Sequence, residues 1–119
     1  MDLSRYFEEK DGVGVLSTAS RDGEVNSALF ARPHVESSTA LFVTIERKNL
    51  QNLKENPNAY YLFKEEKEGY EGIRMVLKLK REFIDDALAD KLARGHRTSE
   101  YQRHILEFEI VDTHPLVGA

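Results

Sequence analysis

The stretch "IRMVLKLKREF" (Ile73 to Phe83) restricts the possible folds more than any other part of the chain. Ile73, Met75, Leu77 and Leu79 occupy one side of a two-residue repeat, and Arg74, Lys78 and Lys80 the other. Successive side chains of a strand point to opposite faces, so this pattern describes a strand with one buried and one wet face. "HILEFEIV" repeats it, with Leu106, Phe108 and Ile110 inward and Glu107 and Glu109 outward. Such alternation belongs to antiparallel sheets, which tolerate water on one side.

The remaining segments supply partners for these strands. "GVGVLSTA" (Gly12 to Ala19) is apolar and β-rich, and "SRDG" after it is a hairpin turn in which Gly23 provides the positive φ. "EVNSALFARPHV" sets Val25, Ser27, Leu29 and Ala31 against Asn26, Ala28, Phe30 and Arg32, and Pro33 marks an edge or the end of regular pairing. "ALFVTI" and "AYYLF" are further strands, and "KEEKEGYEG" is a long polar turn. Two or three short helices are expected. "SRYFEEK" places Tyr6 and Phe7 on its inner side; Asn49 to Pro57 carries the i, i+3 pair Leu50 and Leu53; "DDALADKLARG" has an acidic start, Arg94 in its last turn and Gly95 as C-cap. Six strands in mostly hairpin order with short helices predict a mainly β fold, a small six-stranded antiparallel barrel, as one domain over residues 1–119.

Several functions are excluded by composition. The 119 residues contain no cysteine, which removes disulfides, thiolate zinc sites and a thiol nucleophile. His34, His96, His104 and His114 lack a ligand spacing, so no metal site is expected. The charged start "MDLSRYFEEKDG" is no signal peptide, and no run approaches the ~18 apolar residues of a membrane span; a cytoplasmic location is expected, with no membrane partner. A net charge of −4 and a pI of about 5.6 argue against nucleic acid as partner, an OB-like barrel included, while leaving room for a local basic pocket. There is neither a GxSxG elbow nor a dinucleotide-binding glycine fingerprint.

One electrostatic feature points to a ligand. Arg47 and Lys48 stand at the start of the helix that begins near Asn49. The first turn of a helix exposes unpaired N–H groups and the positive end of the macrodipole, where carboxylates are favoured and cations are not. An anion between them would resolve the conflict.

The order "GVGVLSTASRDGEVNSALF", "ALFVTIERKNLQNLKENP", "AYYLF" and "GIRMVLKLKREF" resembles the FMN-binding split β-barrel of the pyridoxamine-phosphate-oxidase-like flavoproteins, above all their small single-domain members. The resemblance covers nearly the whole chain, and the arginine–lysine pair before "xxLxxNP" is its characteristic motif. It implies FMN as cofactor, with its phosphate against Arg47, Lys48, the Asn49 side chain and the first-turn amides, and with Ser27 adding a hydroxyl donor. It further implies that Asn26, Ser27, Ala28, Val43, Thr44 and Ile45 line the flavin ring, and that the protein is a homodimer with a flavin at each shared interface.

Tyr101 and Arg103 match positions from which a partner chain contributes; alternatively Tyr101 caps the last strand against its own barrel. The extra arginines, serines and C-terminal segment of true pyridoxamine-phosphate oxidases are missing, so vitamin B6 oxidation is not expected. Two functions fit. One is an FMN-dependent oxidoreductase or electron-transfer protein with an unknown small-molecule or protein redox partner. The other is a binding module that holds FMN, haem or another phosphorylated ligand without turnover. No residue stands out as a general acid or base, and none is assigned a catalytic role.

Overall fold

The computed structural model describes residues 1–94 and 100–118. Helix α1 (Leu3–Glu9) starts at an Asp2 cap, whose side chain accepts from the Arg5 N–H, and buries Phe7. The strands are β1 (Gly12–Ala19), β2 (Val25–Leu29), β3 (His34–Glu36), β4 (Thr39–Ile45), β5 (Asn58–Glu65), β6 (Gly72–Phe83) and β7 (Arg103–Pro115). Helix α2 (Lys48–Glu55) lies between β4 and β5, and α3 (Asp86–Leu92) between β6 and β7.

The seven strands form one antiparallel sheet in the order β2-β1-β5-β6-β7-β4-β3, which corrects the expected six. The additional strand arises because "EVNSALFARPHV" is two strands: β2 ends at Leu29 and β3 begins at His34. Pro33 between them has no N–H to donate to a ladder, so pairing lapses there. The sheet does not close on itself, because among the described residues no ladder joins β2 to β3. The third helix ends at Leu92, earlier than its sequence suggested, with Ala93 as its cap; Gly95, the expected cap, lies outside the described residues, as does His96.

Chain connectivity makes this open sheet curl. In a flat sheet β2 and β3 would lie about 29 Å apart, six strand spacings. Only Phe30 to Pro33 connect them, a reach of about 18 Å at full extension. The two edges are therefore drawn toward each other, and the inner ring contacts agree. Phe42 of β4 packs edge-on against Tyr61 of β5 with centroids 5.0 Å apart, and against Phe30 at 5.9 Å. Two register irregularities between β6 and β7, at Val76/Leu77 and Leu79/Arg81, add local bend and twist.

The alternation of the sequence survives in the burial. Ile73, Met75 and Leu77 are buried in one core with Leu106, Phe108, Phe63 and Leu16, and α2 adds Leu50 and Leu53. Gly14 of β1 is required there, because a Cβ would stand 1.8 Å from the Tyr61 hydroxyl oxygen. Ile105 is fully buried beside Leu106, although the alternation put only Leu106 inward. Successive residues of a strand face opposite ways, and α3 packs across β7 and β4, so the outer side of β7 is covered too.

Candidate functional site

A cleft of about 610 Å³ opens where the curled sheet fails to close. One wall is β2 and the residues that follow it, and the other is the second half of β4. β2 pairs only with β1, and β4 pairs with β3 only through Leu41. Among the described residues, the outer edge of β2 and the β3-facing edge of β4 from Phe42 to Ile45 thus keep their backbone groups out of any ladder. The cleft is bounded by two free strand edges, with Ala28, Val43 and Ile45 as apolar lining.

The N-terminus of α2 forms one end of the cleft. Arg47 is the N-cap and makes no side-chain capping bond; Lys48 is the first helical residue, and no acidic residue occupies the first turn. The first intrahelical bond runs from the Gln51 N–H to the Arg47 carbonyl at 3.1 Å, which leaves the amides of Lys48, Asn49 and Leu50 without helical acceptors. Nearby ion pairs join Lys54 to Glu46 and Arg103 to Asp90, and among the described residues neither Arg47 nor Lys48 belongs to one. Five cations line the cleft, Arg32, Arg47, Lys48, Arg94 and Arg103, with no carboxylate among the described lining residues. In a chain of net charge −4 this is a locally positive hollow suited to an anion with a flat, largely apolar body.

Asn49 also lines the cleft, but its amide is used elsewhere. The residue is 2% exposed. Its Oδ1 accepts from Thr18 Oγ1 at 2.5 Å and from Asn26 Nδ2 at 3.0 Å, while its Nδ2 donates to the Leu16 carbonyl at 3.1 Å. Asn52 Nδ2 donates in turn to Thr18 Oγ1 at 3.1 Å. One of the two Nδ2 hydrogens is thus given to β1, and the second, with the backbone N–H, is what this residue retains for a ligand. The network fastens α2 to β1 and sets the Asn26 amide at the cleft wall.

The other residues singled out in the sequence fall as follows. Ser27 lies opposite Ser17 in the β1/β2 ladder and shares a 2.7 Å hydrogen bond with it, on the exposed side of the edge strand. Thr44 Oγ1 donates to the Ile45 carbonyl at 3.1 Å. Arg103 lines the cleft of its own chain, held by Asp90 at 2.8 Å. Tyr101 does not line the cleft directly, and its ring lies 5.6 Å from the Arg47 guanidinium carbon.

The opposite end of the cleft was not foreseen. Arg94 donates to the carbonyls of Arg32 and Pro33 at 2.8 and 2.9 Å and pairs with Glu8 at 2.8 Å. Arg32 donates to the carbonyls of Phe7 and Lys10 and faces Asp11 at 3.5 Å. The Arg94 guanidinium holds the Glu8 carboxyl below the usual carboxylate range. His34 is the one cleft histidine among the described residues; its Nε2 meets the Leu92 carbonyl at 2.8 Å and its Nδ1 faces Glu8 at 3.3 Å. Both nitrogens are engaged with the scaffold, which gives this side chain a structural rather than a proton-transferring placement. The sequence placed Arg94 in the last turn of its helix but could not disclose this clasp, since most of its partners are distant in sequence.

Neither a family model nor a curated protein sequence matches the chain. Solved structures do match. It superposes on an FMN-binding protein from Syntrophomonas wolfei subsp. wolfei with a TM-score of 0.78 and 20% identity, over 98% of this chain and 85% of that one. An F420 reductase matches with a TM-score of 0.72 and 15% identity, covering 92% of this chain and 94% of that one. A FAD-binding protein from Mesorhizobium loti matches at 0.67 and 13%, covering 92% and 88%. Identities this low establish fold alone. The curled, open sheet of this chain is the fold it shares with these three proteins.

Proposed function

We propose that the chain is a flavoprotein that holds FMN in the cleft between β2 and β4 and serves in oxidation–reduction or electron transfer. The observation that carries this reading is the α2 N-terminus: among the described residues, two cations outside any ion pair and three amides without helical acceptors stand at the end of a cleft with two free strand edges. A single phosphate answers that end, through charge-assisted bonds to Arg47 and Lys48 and backbone donation from the first turn. The apolar side chains of Ala28, Val43 and Ile45 and the free backbone groups beside them suit a heteroaromatic ring. One phosphate favours FMN, although similar folds include FAD-binding and F420 proteins. When bound, FMN supplies the electron or hydride chemistry; this chain supplies binding, orientation and a positive field.

FMN should bind at least about tenfold more tightly than riboflavin, because charge-assisted hydrogen bonds contribute about 1.5–3 kcal/mol each. Fluorescence-quenching titrations measure both affinities, and equal values would remove the phosphate from the α2 terminus. The second reading, a module that binds without turnover, is favoured by the commitment of both nitrogens of His34, the one cleft histidine among the described residues, to the scaffold. Reduction of the bound flavin by NAD(P)H with transfer to an acceptor decides for the redox protein; tight binding without reduction decides for the module.

A homodimer belongs to the same proposal. The outer side of β1, β2 and β5 exposes Val13, Val25, Leu29 and Leu62, with Val25 and Leu29 at 73% and 74% exposure. Leu29 also borders the cleft, so a second copy seated on this face would wall the open site. A stable interface of this kind buries about 1,600 Å². Sedimentation should show a dimer at micromolar concentration, and Leu29→Asp should shift it to monomer. A flavin-loaded wild-type monomer at that concentration contradicts the assembly.

A further inference from the structure

The geometry points to Tyr101 as a positioning residue that orients the Arg47 guanidinium at the α2 N-terminus, so that a ligand phosphate meets an already ordered charge. The inference rests on the phosphate reading above and assigns Tyr101 a role through Arg47 instead of against the flavin ring.

The β4/β7 ladder makes the pairing a matter of register. Its last pairs are Thr44 with His104 and Ile45 with Arg103. Continued two residues along each strand, the antiparallel count sets Arg47 opposite Tyr101. The ladder itself stops at Ile45, but the side chains still meet, with the Arg47 guanidinium carbon 5.6 Å from the Tyr101 ring centroid. That distance lies within the range over which an aromatic face attracts a guanidinium.

The chain that carries Tyr101 is anchored by the residues that follow it. Gln102 Nε2 donates to Asp86 Oδ1 at 3.1 Å, and Arg103 pairs with Asp90 at 2.8 Å, so the residues after Tyr101 are tied to α3. Arg47, in contrast, is an exposed N-cap with no side-chain capping bond. A free arginine side chain gives up considerable rotamer freedom when it binds, and an aromatic support that has already restricted it lowers that loss. Lys48, the neighbouring cation, has no ring contact among the described residues, so the effect should be specific to Arg47.

The experiment measures the preference for FMN over riboflavin in the full chain and in Tyr101→Phe, Tyr101→Leu, Tyr101→Gln, Arg47→Ala and the double variant Arg47→Ala/Tyr101→Leu. Tyr101 is 57% exposed, so the variants should keep the wild-type unfolding midpoint, and Leu and Gln provide two independent ways of removing the ring. Tyr101→Leu and Tyr101→Gln should lower the preference about two- to fivefold, the size of an exposed cation–π contact. Tyr101→Phe should retain it, and Tyr101→Leu should change nothing further once Arg47 is alanine. Equal weakening of FMN and riboflavin would place Tyr101 against the ring and overturn the inference. So would an unchanged preference, or a loss that persists without Arg47. A wild-type chain with no FMN preference at all instead refutes the phosphate reading and takes this inference with it, so the two failures are distinct.

Discussion

Asn49→Ala should destabilise the protein by roughly 3 kcal/mol, far more than a polar residue at a helix start ordinarily costs. The substitution removes three hydrogen bonds, from Thr18 Oγ1, from Asn26 Nδ2 and to the Leu16 carbonyl. Asn26 is partly exposed and can turn to water, whereas Thr18 and the β1 backbone at Leu16 are buried. Each buried group left without a partner costs about 1–3 kcal/mol. For a chain of this length the melting midpoint should fall by about 10 °C. Ser27→Ala, which removes an exposed hydroxyl pair on the neighbouring strand, should change stability by less than about 0.5 kcal/mol and serves as the control. A loss below about 1 kcal/mol for Asn49→Ala would mean that the network does not fasten α2 to β1.

Lys48→Glu should weaken FMN binding by about 10- to 100-fold while changing riboflavin affinity by less than about twofold. The variant exchanges an attractive charge for a repulsive one beside the expected phosphate. It leaves folding intact, because Lys48 is exposed and outside any ion pair among the described residues, and because a carboxylate in the first turn of a helix is locally favourable. The helix should therefore become slightly more stable as the site loses its ligand, opposite signs that separate a binding defect from misfolding. Equal loss for both ligands, or a fall in melting temperature, would refute the assignment.

These predictions differ in how much of each the sequence could disclose. The alternation of Ile73, Met75 and Leu77 reappears as buried positions of β6, with Leu79 partly buried after them, and Leu50 and Leu53 form the inner side of α2. The unusual cations at Arg47 and Lys48 were visible as well, because helix starts and strand faces are written in residues a few positions apart. The inward turn of the Asn49 amide was not, since its three partners lie on other elements 23 to 33 residues away.

By itself, then, the sequence determined the local periodicities, the positions of most turns and the charge at the start of α2. Only the tertiary structure decided that "EVNSALFARPHV" is divided between the two edges of one sheet, with Pro33 interrupting the ladder. It likewise decided that His34 and Arg94 meet at Glu8, and that Arg94 also grips the Arg32 carbonyl, at the far end of the cleft. The physical reason is that a strand's face follows from its own residues, whereas the meeting of two edges depends on the accumulated twist of seven strands and on the short tether from Phe30 to Pro33. The cleft exists because that curl brings β2 and β4 near each other without joining them, a result of the whole sheet that no single segment contains.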